Sequence, residues 1–163
     1  MIKDISASIQ FIGVDDEDLD LFESQYDVPE GMSYNSYVIL DEKVAVLDTA
    51  DARKGEEWKA NLADALGDRQ PDYLVVHHME PDHSALIAWM LDTYPAVKLV
   101  ATAAALKMLP QFFESIALEG RTLAVKEGEI LELGSHSLRF FMAPMVHWPE
   151  VMVSYEASEK ILF

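Results

Sequence analysis

The sequence contains no cysteine. This absence excludes disulfide bonds, iron–sulfur clusters and every zinc site that uses thiolate ligands, so any metal ion must be held by nitrogen and oxygen atoms. The chain also lacks an apolar run long enough to span a membrane, and its first residues lack the basic and apolar regions of a signal peptide. We therefore expect a cytoplasmic protein that has no membrane partner.

Basic residues are scarce. The 163 residues include 12 lysines and arginines against 29 aspartates and glutamates, which gives a formal net charge of −17. Because phosphate backbones are bound through lysine and arginine, this balance argues against a nucleic-acid partner. Hydrophobic residues make up 50% of the chain, a share that is typical of a globular domain and not of a disordered one.

Runs of strand length alternate with helical patterns along the chain. Strands are predicted at residues 8–14, 36–40, 44–48, 72–76, 97–101, 122–125, 137–144, 151–156 and 160–163. Apolar residues at helical spacing predict helices near residues 58–66, 86–91 and 103–109, the last ending at Pro110. This order predicts an α/β protein with a mixed sheet, or two sheets, and helices outside.

Three of the five histidines lie within seven residues, "HHMEPDH", at positions 77–83, together with Glu80 and Asp82. This segment follows the predicted strand 72–76, and ligands of open α/β sheets bind at the carboxyl ends of strands. Without a cation the two carboxylates would repel each other and raise each other's pKa, whereas a divalent metal removes that cost. The alternative is a polar surface loop in which Asp82 or Ser84 caps the following helix.

The spacing within this segment suggests two metal positions. In an extended backbone alternate side chains point the same way, so His78 and Glu80 can share one cation. Asp82 and His83 follow Pro81 and should face a second point, which a further carboxylate would bridge to the first. Mixed imidazole and carboxylate donors suit iron or manganese as well as zinc.

The pattern H-x-E-x-D-H, preceded by "AVLDTAD" at 45–51, resembles the metallo-β-lactamase superfamily. Glutamate at position 80, where hydrolytic members have histidine, is typical of the flavodiiron proteins. The segments "GMSYNSYVIL" at 31–40 and "PMVHWPEVM" at 144–152 also match that family. The resemblance implies a metallo-β-lactamase-like αββα sandwich, of which residues 1–163 would be the N-terminal, incomplete portion.

The resemblance also implies a ligand set. His78, Glu80 and His147 would hold one iron ion, and Asp82 and His83 the other, although family members differ in whether this last histidine coordinates. The family's bridging aspartate, last histidine and flavodoxin-like FMN domain would lie beyond this chain. We therefore expect at most one well-held metal ion in the chain alone, which by itself would be inactive.

The implied activity is that of an oxidoreductase. Flavodiiron proteins reduce dioxygen to water or nitric oxide to nitrous oxide at a non-haem diiron site. Electrons come from FMN on the neighbouring subunit of a head-to-tail homodimer. This FMN is reduced by a donor such as rubredoxin or a flavin reductase. The alternatives are a zinc-dependent hydrolase of the same superfamily, which Glu80 disfavours, and a non-catalytic remnant that binds a partner.

Five further residues are not predicted ligands but bear on the site or on the remaining histidines. Asp48 resembles a superfamily aspartate that orients a ligand histidine, or it caps a turn. Tyr26 lines the substrate pocket or packs, and Trp148 lies near the incoming flavin or packs under the site. His77 should point away from His78 and be buried and hydrogen-bonded, while His136 should face solvent from a turn.

Overall fold

Two packed β-sheets and a layer of helices form the described part of the chain, residues 3–22 and 24–163, in this computed structural model. Numbered in chain order, the strands of the seven-stranded sheet are, in spatial order, β1 (Lys3–Asp4), β2 (Ile9–Phe11), β7 (Tyr37–Leu40), β8 (Val44–Leu47), β9 (Tyr73–Val75), β10 (Lys98–Thr102) and β11 (Thr122–Val125). The four-stranded sheet contains β12 (Ile130–Glu132), β13 (Ser137–Met142), β14 (Met152–Glu156) and β15 (Ile161–Leu162). Two small strand pairs complete the set: β3 (Val14–Asp16) with β6 (Met32–Tyr34), and β4 (Leu21–Phe22) with β5 (Tyr26–Asp27).

The helices are α1 (Gly55–Leu66), α2 (Pro81–Ser84), α3 (Ile87–Thr93) and α4 (Ala103–Phe112), with a short 3-10 turn at Ala52–Lys54. Helix α4 does not end at Pro110 as predicted, because that proline lies in the last turn, where it removes a single hydrogen bond. The N–H of Phe113 still reaches the carbonyl of Leu109 and closes the turn. Among the residues with described coordinates, no helix has the length and apolarity that a bilayer crossing requires.

The seven-stranded sheet places four strand ends along one edge. Strands β7 and β8, both predicted, pair as an antiparallel hairpin, and β8, β9, β10 and β11 then run parallel to one another. Parallel strands end at the same edge of a sheet, so the residues after β8, β9 and β10 lie close together in space. The order of the strands therefore brings distant parts of the sequence to one place.

The predicted strand at 8–14 is divided into two. Strand β2 ends at Phe11 and β3 begins at Val14. A Cβ atom on Gly13, between them, would lie 2.2 Å from the carbonyl oxygen of Tyr34. Only glycine allows this close approach of backbone, so the chain leaves one sheet here and pairs with β6.

Two cores separate the three layers. In β9, Leu74 belongs to the core beneath the helices, and Val75 to the core between the two sheets. The predicted periodicity of α1 is confirmed, since Trp58, Leu62 and Leu66 are buried against the first of these cores. The metallo-β-lactamase-like arrangement is confirmed for the α, β and β layers, and the described residues supply no helix on the outer face of the four-stranded sheet.

The prediction that His136 faces solvent is wrong. Its ring is clamped between two carboxylates, with Nδ1 2.7 Å from Asp41 Oδ2 and Nε2 3.0 Å from Glu159 Oε1. Asp41 lies in the β7–β8 turn and Glu159 in the β14–β15 turn, so one imidazole joins turns of both sheets. The residue is only 8% exposed.

Candidate metal centre

The predicted histidine-rich segment lies at the carboxyl edge of the parallel strands. Asp48 follows β8, and its N–H donates to the carbonyl of Val75 in β9. His77 and His78 come two and three residues after β9 ends, and both are buried. Strand pairing thus places Asp48 beside the histidines. The backbone of Asp48 has a positive φ, a conformation that aspartate tolerates better than most residues.

Three of the predicted ligands converge. His78 Nε2 lies 3.0 Å from Glu80 Oε2, and His147 Nε2 lies 2.6 Å from the same oxygen. One potential ligand atom from each residue lies within 4.8 Å of the others. His78 and Glu80 are buried, whereas the side chain of His147 is 54% exposed. The cluster is therefore open to solvent on the side of His147.

The loop that carries His147 has a strained backbone. His147 has a φ of +79° and Met145 a φ of +65°, and neither is glycine. A hydrogen bond from Met145 N–H to the Trp148 carbonyl, 2.9 Å, closes the turn between them. Left-handed conformations cost non-glycine residues about 1–2 kcal/mol each, and such strain is concentrated at functional sites.

Asp82 and His83 lie next to the three-residue cluster but outside it. His83 Nδ1 is 3.2 Å from Asp48 Oδ2, and His83 Nε2 is 3.6 Å from Asp82 Oδ2. Asp82 Oδ1 is buried and has no hydrogen-bond partner in the part of the chain that the structure describes. A buried carboxylate oxygen without a donor fits a position that would accept a cation.

The alternative in which Asp82 or Ser84 caps a helix is wrong. The N-cap residue is Glu80 for α2 and Leu86 for α3, and no side chain makes a capping hydrogen bond at the start of either helix. The Ser84 hydroxyl instead donates to the carbonyl of Met79 at 2.8 Å. Asp82 therefore remains available for another role.

Asp48 is shared by two imidazoles. It accepts hydrogen bonds from the N–H of His77 at 2.7 Å and from His77 Nδ1 at 3.0 Å, and His83 Nδ1 lies close by. Burial alone would raise the pKa of Asp48, but the charge and hydrogen bonds of His77 and His83 lower it below its usual range. Ser154 Oγ lies 2.8 Å from His77 Nε2, so His77 is buried and hydrogen-bonded as predicted.

The pKa values of His83 and Asp82 are both raised by their surroundings. Burial would lower the pKa of His83, yet its contact with Asp48 raises the pKa to about 9. Burial raises the pKa of Asp82, the positive charge of His83 opposes that shift, and the negative charge of Glu80 adds to it. A protonated His83 places a positive charge beside these carboxylates.

Sequence reasoning missed Glu150 as part of the site. Its side chain has no exposed surface, and His78 Nδ1 donates to its Oε1 at 2.7 Å. Glu150 appeared only as one letter of the matching segment at 144–152. A carboxylate three residues after a predicted ligand histidine is the sequence signal that could have identified it, because ligand histidines commonly donate their other N–H to a carboxylate.

Tyr26, predicted for the substrate pocket, and Trp148, predicted near the flavin, lie in different surroundings. Tyr26 belongs to β5 and is 57% exposed, while the cavity bordered by Glu80 and Asp82 is lined by Tyr34. Trp148 packs edge-on against His78, with ring centroids 5.0 Å apart. The packing interpretation of Trp148 is thus satisfied, and the roles of both aromatic residues toward substrate and flavin stay predictions.

Comparison with known proteins gives a consistent result. Residues 32–163 match the ODP family of beta-lactamases. Diflavin flavoprotein A 1 of Synechocystis is 36% identical over 160 residues, which are 98% of this chain and 27% of that protein. The anaerobic nitric oxide reductase flavorubredoxin of Vibrio vulnificus is 30% identical over 161 residues, which are 98% of this chain and 32% of that protein.

The fold agrees with that of a solved relative. The rubredoxin oxygen:oxidoreductase of Desulfovibrio gigas superposes with a TM-score of 0.93 at 29% sequence identity, over 99% of this chain and 40% of that one. The predicted kinship with the metallo-β-lactamase-like domain of flavodiiron proteins is confirmed. The chain spans about a quarter to two fifths of the length of the curated relatives that it matches.

Proposed function

Because this chain belongs to the ODP family of beta-lactamases, with flavodiiron proteins among its relatives, we propose that it is the metal-binding part of a flavodiiron oxidoreductase. One observation carries the proposal: His78, Glu80 and His147 offer ligand atoms that all lie within 4.8 Å of one another. Two of these residues follow one strand, and the third lies in a loop of the other sheet. Such a convergence of two imidazoles on one carboxylate is the donor set of a first-row transition metal.

The residues present fit one metal ion. Glu80 brings a negative charge to two imidazoles that bind metal in their neutral form, and cysteine is absent, so the donors are nitrogen and oxygen. The buried Asp82 Oδ1 and the nearby His83 supply donors for a second ion. We propose that these two residues form the incomplete half of a diiron site.

The residues of the candidate centre have different tasks in this proposal. Glu80 holds the two imidazoles at one point, and Asp48 orients His83 through its Nδ1. Burial of His78 and Glu80 keeps water from competing for their ligand atoms. Iron, when bound, would supply the one-electron redox chemistry for the reduction of dioxygen or nitric oxide.

The relatives support a proposal for the cofactor and partners of the whole protein. The names of these relatives refer to flavin, rubredoxin, oxygen and nitric oxide. We propose that FMN, carried elsewhere in the protein, passes electrons to this centre and is reduced by a rubredoxin-type donor or a flavin reductase. A head-to-tail homodimer and a role of Trp148 near the flavin of the neighbouring subunit belong to the same proposal.

Anaerobic metal titration tests the proposal. Ferrous iron or zinc is added to the metal-free chain, and bound metal is measured by mass spectrometry after desalting. We expect about one tightly bound ion per chain, and a loss of more than tenfold in affinity for Glu80→Gln. A matched control is Glu156→Gln, which changes another buried glutamate away from the centre.

The outcome of this titration is decisive. A chain that binds no ion, or a Glu80→Gln variant that binds as tightly as the wild type, would contradict the proposal. Retention of zinc with exclusion of iron would favour the zinc-dependent hydrolase instead. Electron transfer from reduced flavin to the iron-loaded protein would then test the oxidoreductase assignment.

A further inference from the structure

Glu150 occupies an unusual position for a carboxylate. It lies in the loop between β13 and β14, and its side chain has no exposed surface. Only Oε1 is engaged, by His78 Nδ1 at 2.7 Å and by the N–H of Met79 at 2.9 Å. Oε2 is buried and has no hydrogen-bond partner among residues 3–22 and 24–163. A buried charge with one unsatisfied oxygen is costly, so packing alone does not account for it.

We propose that Glu150 is a positioning residue that sets the proton of His78 on Nδ1 and thereby turns the lone pair of Nε2 toward Glu80. A neutral imidazole carries one N–H, and of the two carboxylates that face His78 the nearer is Glu150, whose Oε1 lies 2.7 Å from Nδ1, against 3.0 Å between Nε2 and Glu80 Oε2. With Nδ1–H directed to Glu150, Nε2 is the free ligand atom, and it lies on the side of Glu80 and His147. This inference rests on the proposed function.

The glutamate is itself held in place. Its backbone carbonyl accepts a hydrogen bond from the Thr102 hydroxyl at 3.0 Å, at the end of β10. Two residues further on, Met152 N–H donates to the carbonyl of His77. These bonds fasten the start of β14 to the edge of the seven-stranded sheet, so the backbone that carries the carboxylate is held beside His78.

The His78 ring is confined from another side as well. Trp148 meets it edge-on, with the two ring planes at 90° and the centroids 5.0 Å apart. Glu150 therefore links two ligands: its side chain orients His78, and the loop that it anchors carries His147 three residues earlier. A single residue thus couples the ligand geometry of one sheet to that of the other.

The tautomer can be read without any metal. We would record long-range proton–nitrogen correlation spectra of the metal-free chain at alkaline pH and assign the signals of His78 with His78→Gln. The wild type should show the Nδ1–H form. Glu150→Ala should lose this preference, whereas Glu156→Gln, a change at a buried glutamate remote from the centre, should retain it.

Metal affinity gives the second readout. Loss of such an acceptor typically costs 10–100-fold in metal affinity, and we expect this range for Glu150→Ala. Glu150→Gln keeps the shape and an oxygen acceptor but loses the charge, so its affinity should fall less, and it replaces the alanine variant if that one does not fold. A purely structural role would lower the unfolding temperature and leave both the tautomer and the affinity unchanged.

The two proposals fail in different ways. A wild-type chain that binds no metal contradicts the proposed function, while the Nδ1–H signal still decides whether Glu150 orients His78. Wild-type affinity in a folded Glu150→Ala variant, or an Nε2–H tautomer in the wild type, overturns the role of Glu150. A shifted tautomer together with weaker metal binding supports it.

Discussion

Glu80 Oε2 lies 2.6 Å from Nε2 of His147, although 67 residues separate the two in the chain. The same oxygen lies 3.0 Å from His78 Nε2. The contact joins the loop after β9, in the seven-stranded sheet, to the loop before β14, in the other sheet. The cluster can therefore exist only after the two sheets have packed together.

Metal binding should accordingly stabilise the folded chain. An ion that binds the native cluster and not the unfolded chain adds about 2.7 kcal/mol to the free energy of unfolding at a free concentration one hundred times the Kd. We expect a rise in the unfolding temperature with added ferrous iron or cobalt under nitrogen, measured by circular dichroism. In Glu80→Gln the rise should be clearly smaller at the same metal concentration, and in Glu156→Gln it should persist.

The clamp around His136 should make stability depend on pH. Burial alone would lower the pKa of His136, but the hydrogen bonds with Glu159 and Asp41, and the negative charge of Glu156 nearby, raise it. A pKa that is higher in the folded state than in the unfolded one contributes stability that is fully present below about pH 6.5. This contribution should be lost as the pH rises through the folded-state pKa.

The matched variant is His136→Asn, which keeps a polar side chain but cannot take a proton. We expect it to cost about 2 kcal/mol at pH 6, because two carboxylates lose their charged donor. The difference from the wild type should shrink at alkaline pH, as measured by urea unfolding at several pH values. An equal difference at every pH would contradict the charged clamp.

Gly31 should be intolerant of substitution for a steric reason. It has a φ of +77°, and an added Cβ would lie 2.3 Å from the carbonyl oxygen of Asp16. Gly128 has nearly the same φ, +75°, and nothing lies within 4 Å of the corresponding position. Gly128→Ala should cost about 1 kcal/mol in unfolding free energy from the left-handed backbone alone, and Gly31→Ala about 3 kcal/mol because a clash is added. Similar costs for the two variants in urea unfolding would contradict this reasoning.

Met145 offers the opposite case, in which glycine should be favourable. Its φ is +65° and its side chain is exposed, so little packing is lost when it is removed. We expect Met145→Gly to raise the free energy of unfolding by about 0.5 kcal/mol, the relief of strain outweighing the entropy of glycine. The control is Val146→Gly in the same exposed loop, where φ is not positive, and which should lose about 0.5–1 kcal/mol. Thermal unfolding of the three proteins would show whether the two variants move in opposite directions.

Local patterns predicted what local chemistry controls. Strands β7, β8 and β9 and the buried face of α1 each depend on residues within a dozen positions of one another. The position of His136 could not be read in this way, since its partners Asp41 and Glu159 lie 95 and 23 residues away. A histidine in a turn looks solvent-facing until other turns fold against it.

The candidate centre likewise has a part that the sequence predicts and a part that depends on tertiary structure. Residue types alone excluded thiolate ligands and placed His78, Glu80, Asp82 and His83 at the end of a strand, because composition and short spacing are properties of the chain itself. Only the packing of two sheets decided that Glu80 meets His147 and that Glu150 reaches His78 from 72 positions away. Contacts at such separations depend on strand order and register, which arise when the apolar faces of the sheets are buried together.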